Sequence, residues 1–172
     1  MLDILEHKLA SWDGIHMEPL KSVYHEHLAD SEFFNSLIVL TGKDPSLQDA
    51  TTWLLKHHYD EKNNLSSQQI NDLLKLSSTF ESWPAKLHVL QMLPHIEVSE
   101  NNFIAIDNFV RSCLKDDTKF VRAWAYQGLY QLYEFRPENK TELIALCEDA
   151  MNRESASIKS KVRKILAKLT KP

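Results

Sequence analysis

The sequence contains few of the residues that interrupt helices. Among its 172 residues there are only three glycines and six prolines, and most of the prolines stand where a helix would begin or end. This scarcity offers little support for β-structure and favours helices joined by short connections. The sequence therefore predicts an all-α protein.

Cysteine and long apolar runs are also scarce. The two cysteines, Cys113 and Cys147, fall on apolar stripes, which favours small buried side chains in a reducing compartment and only secondarily a disulfide. No run approaches the roughly 20 apolar residues of a membrane span. The N-terminus carries acids where a secretory signal needs bases. We therefore expect a cytoplasmic protein that does not bind a membrane.

Length and charge set further limits. A chain of this length can bury about 70% of the surface of its unfolded state, so we expect a single domain over residues 1–172 that needs no cofactor or metal to fold. The net charge of −4 is unevenly distributed. Lys and Arg number 7 against 15 Asp and Glu in residues 1–100, and 13 against 9 in residues 101–172. The last predicted helix carries most of the positive charge.

A repeat of about 36 residues dominates the chain from residue 31 onward. In the first helix of each unit, one apolar register recurs after 36, 36 and 37 residues, at Phe34, Ile70, Ile106 and Leu143. In the second helix another register contains Ala85, Val121 and Ile158. The pattern predicts four helical hairpins over residues 31–170, the first of which fits least well. Residues 1–30, with helices over 2–12 and 18–29, are expected to form an N-terminal helical cap.

Helix-start signals agree with these divisions. Ser66 with Gln69, and Asn139 with Glu142, have the spacing of a capping box, in which two side chains satisfy the free backbone amides of a first turn. Both pairs stand before apolar helical patterns. They predict helices that begin just after residues 66 and 139.

In the last three hairpins an acid precedes a base by five residues. The pairs are Glu81 and Lys86, Asp117 and Arg122, and Glu154 and Lys159. This pattern resembles the HEAT-repeat family of armadillo-like α-solenoids, most clearly in residues 101–135. The first hairpin departs from it, with Gln48 where the base should be. The resemblance implies a right-handed α-α superhelix in which the acids and bases form a structural ladder between neighbouring repeats.

Stacked hairpins leave a surface lined by their second helices. Carrying the registers outward gives a predicted ridge of side chains, which consists of Trp53, His57, His88, Gln91, His95, Trp124, Gln127, Gln131, Lys161, Lys164 and Lys168. Exposed Trp is a common anchor at interfaces, where amides and bases add hydrogen bonds. The other interpretation is that both tryptophans lie between repeats and the remainder is ordinary surface.

No arrangement of residues indicates catalysis or metal binding. All eight histidines lie between His7 and His95, but their spacings do not place three ligands together as a zinc site requires. Neither a nucleophile elbow nor a phosphate-binding glycine loop is present. We expect a non-catalytic scaffold that binds a protein partner along the ridge, and the sequence gives no indication of its oligomeric state.

A DNA-binding function is the alternative. One family of alkylated-base glycosylases is built from HEAT-like repeats with a basic concave face and exposed tryptophans, which Trp53, Trp124 and the final lysines resemble. This chain departs from that family in its length, in its acidic N-terminal half and in the lack of an acid on the ridge. The basic last helix is itself open to two interpretations, as the polar face of a terminal repeat or as an anion-binding patch.

Overall fold

A computed structural model of the protein describes residues 1–171. Over these residues the chain forms ten α-helices and no strand, which confirms the all-α prediction. The chain divides into two compact units, Met1–His95 and the residues from Ile96 onward. No helix in residues 1–171 is long and apolar enough to cross a membrane.

Unit 1 contains six α-helices and three short 3-10 helices. The α-helices are α1 (Leu2–Ala10), α2 (Glu18–His27), α3 (Phe33–Lys43), α4 (Gln48–Asp60), α5 (Ser67–Leu76) and α6 (Trp83–Met92). The 3-10 helices are Pro45–Leu47, Ser77–Thr79 and Leu93–His95. The two expected N-terminal helices are present, and each ends two residues earlier than expected.

Two layers of helices form unit 1. In one layer α1 packs on α3, which also packs on α5, and in the other α2 packs on α4, which also packs on α6. The two layers meet where α3 packs on α4. A Cβ added at Gly42 would lie 2.9 Å from Leu76 Cδ2, so α3 and α5 approach closely at that point. The first two helices thus extend the same two layers as the hairpins that follow them.

Unit 2 contains four α-helices, which are α7 (Phe103–Cys113), α8 (Lys119–Phe135), α9 (Lys140–Arg153) and α10 (Ala156–Leu169). A 3-10 helix over Pro137–Asn139 joins α8 to α9. Hairpins form where α7 packs on α8 and α9 packs on α10, and the second helices α8 and α10 also pack on each other. Both cysteines are buried and reduced here, as expected from their apolar stripes.

The two predicted capping boxes differ in outcome. At α5 both bonds form, with Ser66 Oγ accepting from the Gln69 amide at 3.2 Å and Gln69 Oε1 accepting from the Ser66 amide at 2.9 Å. At α9 the helix begins at Lys140, as predicted, but the Asn139 side chain makes no capping hydrogen bond. The Glu142 carboxylate instead accepts from both terminal nitrogens of Arg111, at 2.7 and 3.0 Å.

Candidate interaction site

A basic and aromatic surface runs along the second helices of unit 2. We define the α8–α10 face as Trp124, Gln127 and Tyr130 on α8 with Lys161, Lys164 and Lys168 on α10. The Lys161 ammonium lies 3.9 Å from the centre of the Trp124 ring system, and the Lys168 ammonium lies 4.9 Å from the Tyr130 ring centre. These are cation–π distances. Two ring–ammonium pairs therefore connect the helices across this face.

Among the described residues, the lysines of this face form no ion pair with an acid. Helix α10 contains five bases and no acid. Within residues 1–171, none of the ammonium groups of Lys161, Lys164 and Lys168 is paired with a carboxylate. Burial, and then the charge of Lys164, lower the pKa of Lys161. Positive charge is therefore concentrated on this face, where no ion pair with a carboxylate of residues 1–171 neutralises it.

The other ridge positions of unit 2 are half-buried. Trp124 and Gln127 are both partly exposed to solvent. The Trp124 side chain is therefore neither fully buried nor fully exposed. Gln131 donates from Nε2 to the backbone carbonyl of Ile96 at 3.0 Å, which commits at least part of its amide to the structure of the unit. The polar surface open to a ligand is therefore centred on the lysines.

In unit 1 the ridge residues of α4 pack against other aromatic rings. The rings of Trp53 and His57 are stacked with centroids 4.8 Å apart, and His57 also meets the edge of the Tyr24 ring on α2 at 4.8 Å. Both residues are half-buried. Burial lowers the pKa of His57, with smaller and opposing effects from nearby Glu61 and Asp60. These two side chains contribute to helix packing as well as to surface.

The ridge histidines of α6 and of the 3-10 helix that follows it, His88 and His95, also contact neighbouring side chains. His88 lies between α4 and α6, with its Nδ1 2.9 Å from Thr52 Oγ1, and burial lowers its pKa to about 4. Gln91 is half-buried, whereas His95 is exposed and stacks on Tyr59 with ring centroids 6.0 Å apart. An imidazole held neutral between two helices has a structural role and offers a partner little surface.

The predicted ladder places one base against the acid of the following hairpin. Arg122 Nε donates to Glu154 Oε1 at 3.0 Å, and its Nη2 donates to Oε2 at 3.0 Å. Its Nη1 donates to the backbone carbonyls of Asp116 and Asp117 at 2.8 and 2.9 Å. The Glu154 side chain is only 9% exposed. One guanidinium thus joins two successive turns of unit 2.

Gln48, which stands in the register of the base in the first hairpin, makes the equivalent connection without charge. Its Nε2 donates to the carbonyls of Thr41 and Thr79 at 3.4 and 3.2 Å, and its Oε1 accepts from the Glu81 amide at 3.1 Å. Gln48 is 1% exposed. The side chain therefore bonds the turn of its own hairpin to the turn of the next one.

The remaining ladder residues lie nearer the surface. The carboxylates of Glu81 and Asp117 are on exposed residues, and Lys86 and Lys159 are half-buried. Asp117 contributes its backbone carbonyl to Arg122. Next to it, Asp116 Oδ1 accepts from the Thr118 amide at 2.8 Å, just before α8 begins. The two adjacent acids therefore organise a turn.

Nothing in residues 1–171 brings three potential metal ligands together. Burial raises the pKa of Cys147 to about 11, so its thiol is protonated at neutral pH and is a poor nucleophile.

Two aromatic residues were not identified from the sequence pattern. Tyr130 lies outside the ridge register, yet the Lys168 ammonium lies over its ring. The register of one helix does not predict this contact, because side chains from two packed helices meet between the repeating positions. Trp83, at the first position of α6, is 46% exposed. Its position directly before a proline at a helix start was the only available signal, since such a residue lies at the end of the packed stripe.

Comparison with known protein families, curated proteins and solved structures gives no match for this chain.

Proposed function

We propose that this protein is a non-catalytic protein-interaction module, built as a short α-solenoid of HEAT-like hairpins, which binds its partner through second helices. The repeating registers and the layered packing of helices within each unit support the solenoid arrangement. So do the bonds from Gln48 and from Arg122 to the turns of the following hairpins. In such repeat proteins the units stack and the surface made by equivalent helices serves recognition.

The observation that carries the proposal is the unneutralised α8–α10 face. Folded chains usually pair or disperse their surface charges, because like charges held together repel one another. Here Lys161 and Lys164 remain together beside a half-buried Trp124, with no carboxylate on α10. Exposed aromatic surface is typical of binding interfaces, where Trp and Tyr are among the residues that supply most of the affinity, and a patch of one charge attracts a partner of the opposite charge.

Site-specific photo-crosslinking tests this proposal. A photoreactive residue in place of Lys164 should crosslink to a defined protein in an extract of the source cells, and the same residue in place of the exposed Glu148 on α9 should not. Mass spectrometry of the crosslinked bands provides the readout. Identical crosslinking patterns from the two positions, or none from position 164, would rule out this face as the interaction surface.

Nucleic-acid binding is the second candidate, and the five bases of α10 favour it. Proteins hold the phosphate backbone with several cations, so that binding weakens steeply as salt rises. The expected behaviour under this candidate is retention on immobilised heparin at low salt, followed by retention on DNA. Passage through both columns without retention at low salt would remove it.

A further inference from the structure

The aromatic rings of the α8–α10 face are already occupied by ammonium groups. Proteins that bind single-stranded nucleic acid stack successive bases on open aromatic faces. At Trp124 the Lys161 ammonium occupies one such position at 3.9 Å, and at Tyr130 the Lys168 ammonium does the same at 4.9 Å. Burial, and then the nearby Glu134 carboxylate, raise the pKa of Tyr130. This arrangement obstructs base stacking and presents cations in fixed positions.

The cations form a row of defined length. Lys161, Lys164 and Lys168 are three and four residues apart, so they share one side of α10 and span about 10 Å along its axis. Carboxylates on one side of an extended peptide recur about every 7 Å, and those on one face of a helix recur about every 5 to 6 Å. Two or three acidic side chains of a peptide would match this row.

The ring contacts also fix the direction in which the ammonium groups point. A lysine free in solvent loses side-chain entropy when it binds a partner. The ammonium groups of Lys161 and Lys168 lie over the rings of Trp124 and Tyr130 before any ligand arrives, so less of that entropy remains to be lost. A carboxylate would also relieve the repulsion between Lys161 and Lys164, which together with burial lowers the pKa of Lys161.

We infer that the α8–α10 face binds an acidic peptide segment of a partner protein, with its carboxylates held by Lys161, Lys164 and Lys168. The inference rests on the proposed function and names the chemistry of the partner. Charge complementarity selects this occupant, because the face offers three cations that form no ion pair within residues 1–171 and an ammonium group already lies over each ring. Gln127, which is half-buried on α8, can add a hydrogen bond to the peptide backbone.

Fluorescence anisotropy on the full chain tests the inference. The probes are a labelled peptide of alternating glutamate and leucine, the same peptide with glutamine for glutamate, and an oligothymidylate of matching charge. The glutamate peptide should bind best, and its binding should weaken as salt rises. The double variant Lys164→Glu with Lys168→Glu should weaken it by at least about tenfold, which corresponds to the loss of two favourable charge contacts.

A matched control separates local from overall charge. Lys115→Glu with Lys140→Glu changes the net charge equally at two exposed positions of unit 2 outside the face, and it should change affinity by less than about twofold. Equal losses in the two double variants would overturn the inference, as would tight binding of the glutamine peptide. Tighter binding of oligothymidylate, sensitive to the first variant, would assign the face to nucleic acid instead.

Failure of the inference can be distinguished from failure of the proposed function. If a protein crosslinks at position 164 but the glutamate peptide does not bind, the face recognises a partner of other chemistry and only the inference fails. If there is neither a crosslink nor peptide binding, both fail.

Discussion

The two units hold their helices together with different polar groups. All eight histidines lie in unit 1 and all five arginines lie in unit 2. In unit 1 the fully buried side-chain bonds between helices join neutral groups, such as Thr41 Oγ1 to Thr51 Oγ1 at 2.8 Å and the Tyr24 hydroxyl to His58 Nδ1 at 2.9 Å. Its ion pairs between helices, Lys8 with Glu26 and Lys43 with Glu6, lie at the surface. In unit 2 guanidinium groups join carboxylates across the turns.

This difference shows that one structural task can be performed with or without charge. Gln48 and Arg122 both connect successive turns, yet Gln48 is almost fully buried whereas the Arg122 side chain is 21% exposed. A neutral amide can be buried at small cost once it is hydrogen-bonded, whereas a guanidinium needs a carboxylate and some solvent. The two units should therefore respond differently to substitution and to acid.

The largest expected effect follows from removing the charged connection in unit 2. Arg122→Ala should lower the free energy of unfolding of unit 2 by about 3 kcal/mol, because it leaves the carboxylate of Glu154 in a confined position without its partner. Urea unfolding followed through the amide NMR signals of α8 and α10 measures this. Arg163→Ala, at an exposed position of α10, should cost less than about 0.5 kcal/mol. Equal costs for the two variants would contradict the structural role of Arg122.

The next largest expected difference between the two units is in how their stability responds to acid. The pKa of His88 falls from 6.5 to about 4 on folding, and burial also lowers the pKa values of His57 and His58. Because the unfolded chain then binds more protons, the stability contributed by these neutral imidazoles is full above pH 6.5 and declines as the pH falls toward 4. The loss from His88 should reach about 2 kcal/mol, since its ring retains some contact with solvent.

Unit 2 provides the internal comparison in the same sample. It contains no histidine, and its Glu142 has a pKa lowered by Arg111, so that the stabilisation from this pair is present above about pH 4.5 and lost below it. Urea titrations at pH 7 and pH 4.5 should therefore show a lower free energy of unfolding at the lower pH for unit 1 alone. The variant His88→Gln should reduce this pH dependence. Parallel weakening of both units would show that the imidazoles are not responsible.

Removing the neutral connection in unit 1 should have an intermediate effect. Gln48→Met keeps the volume of the side chain but leaves the Thr79 carbonyl and the Glu81 amide without their partner, which should cost about 1.5 kcal/mol. Gln68→Met, at an exposed position of α5, is the matched control, with an expected cost below about 0.5 kcal/mol. Thermal unfolding monitored by circular dichroism is sufficient. If Gln48→Met were as mild as its control, the amide would not be holding the two turns together.

The smallest expected effect concerns a single hydroxyl. Tyr24→Phe should destabilise unit 1 by about 1 kcal/mol, since the buried Nδ1 of His58 loses its hydrogen-bond partner. Tyr133→Phe, on the half-buried surface of α8, should leave unit 1 unchanged. The NMR-detected urea titration again reports each unit separately. A loss in unit 1 from the Tyr133 variant would mean that the units do not unfold independently.

Much of the helical architecture could be predicted from periodicity. On α8 the stripe that includes Val121, Ala125 and Leu132 is buried, because apolar side chains spaced at the helical period must face a neighbour. The capping box at Ser66 is equally local, since its two bonds depend only on residues three positions apart.

Contacts between residues far apart in the chain could not be predicted from the sequence. The expected cap at Asn139 is lost because Glu142 meets Arg111, which is 31 residues away in the chain. The outward position expected for His88 likewise did not reveal that its ring would reach Thr52 on a neighbouring helix. On the α8–α10 face the register identified Trp124 and the lysines, but not Tyr130, because its contact with Lys168 depends on how far α10 is shifted along α8.

The tryptophans offer the most direct test of the proposed binding face. Of the four tryptophans, Trp12, Trp53 and Trp83 lie in unit 1 and Trp124 alone lies in unit 2, so four indole N–H signals in a two-dimensional NMR spectrum report both units at once. Single Trp→Phe variants assign them. On titration with the glutamate–leucine peptide, the signal of Trp124 should move while the other three stay in place. Movement of the Trp53 or Trp83 signal with Trp124 unchanged would contradict a partner site on the α8–α10 face.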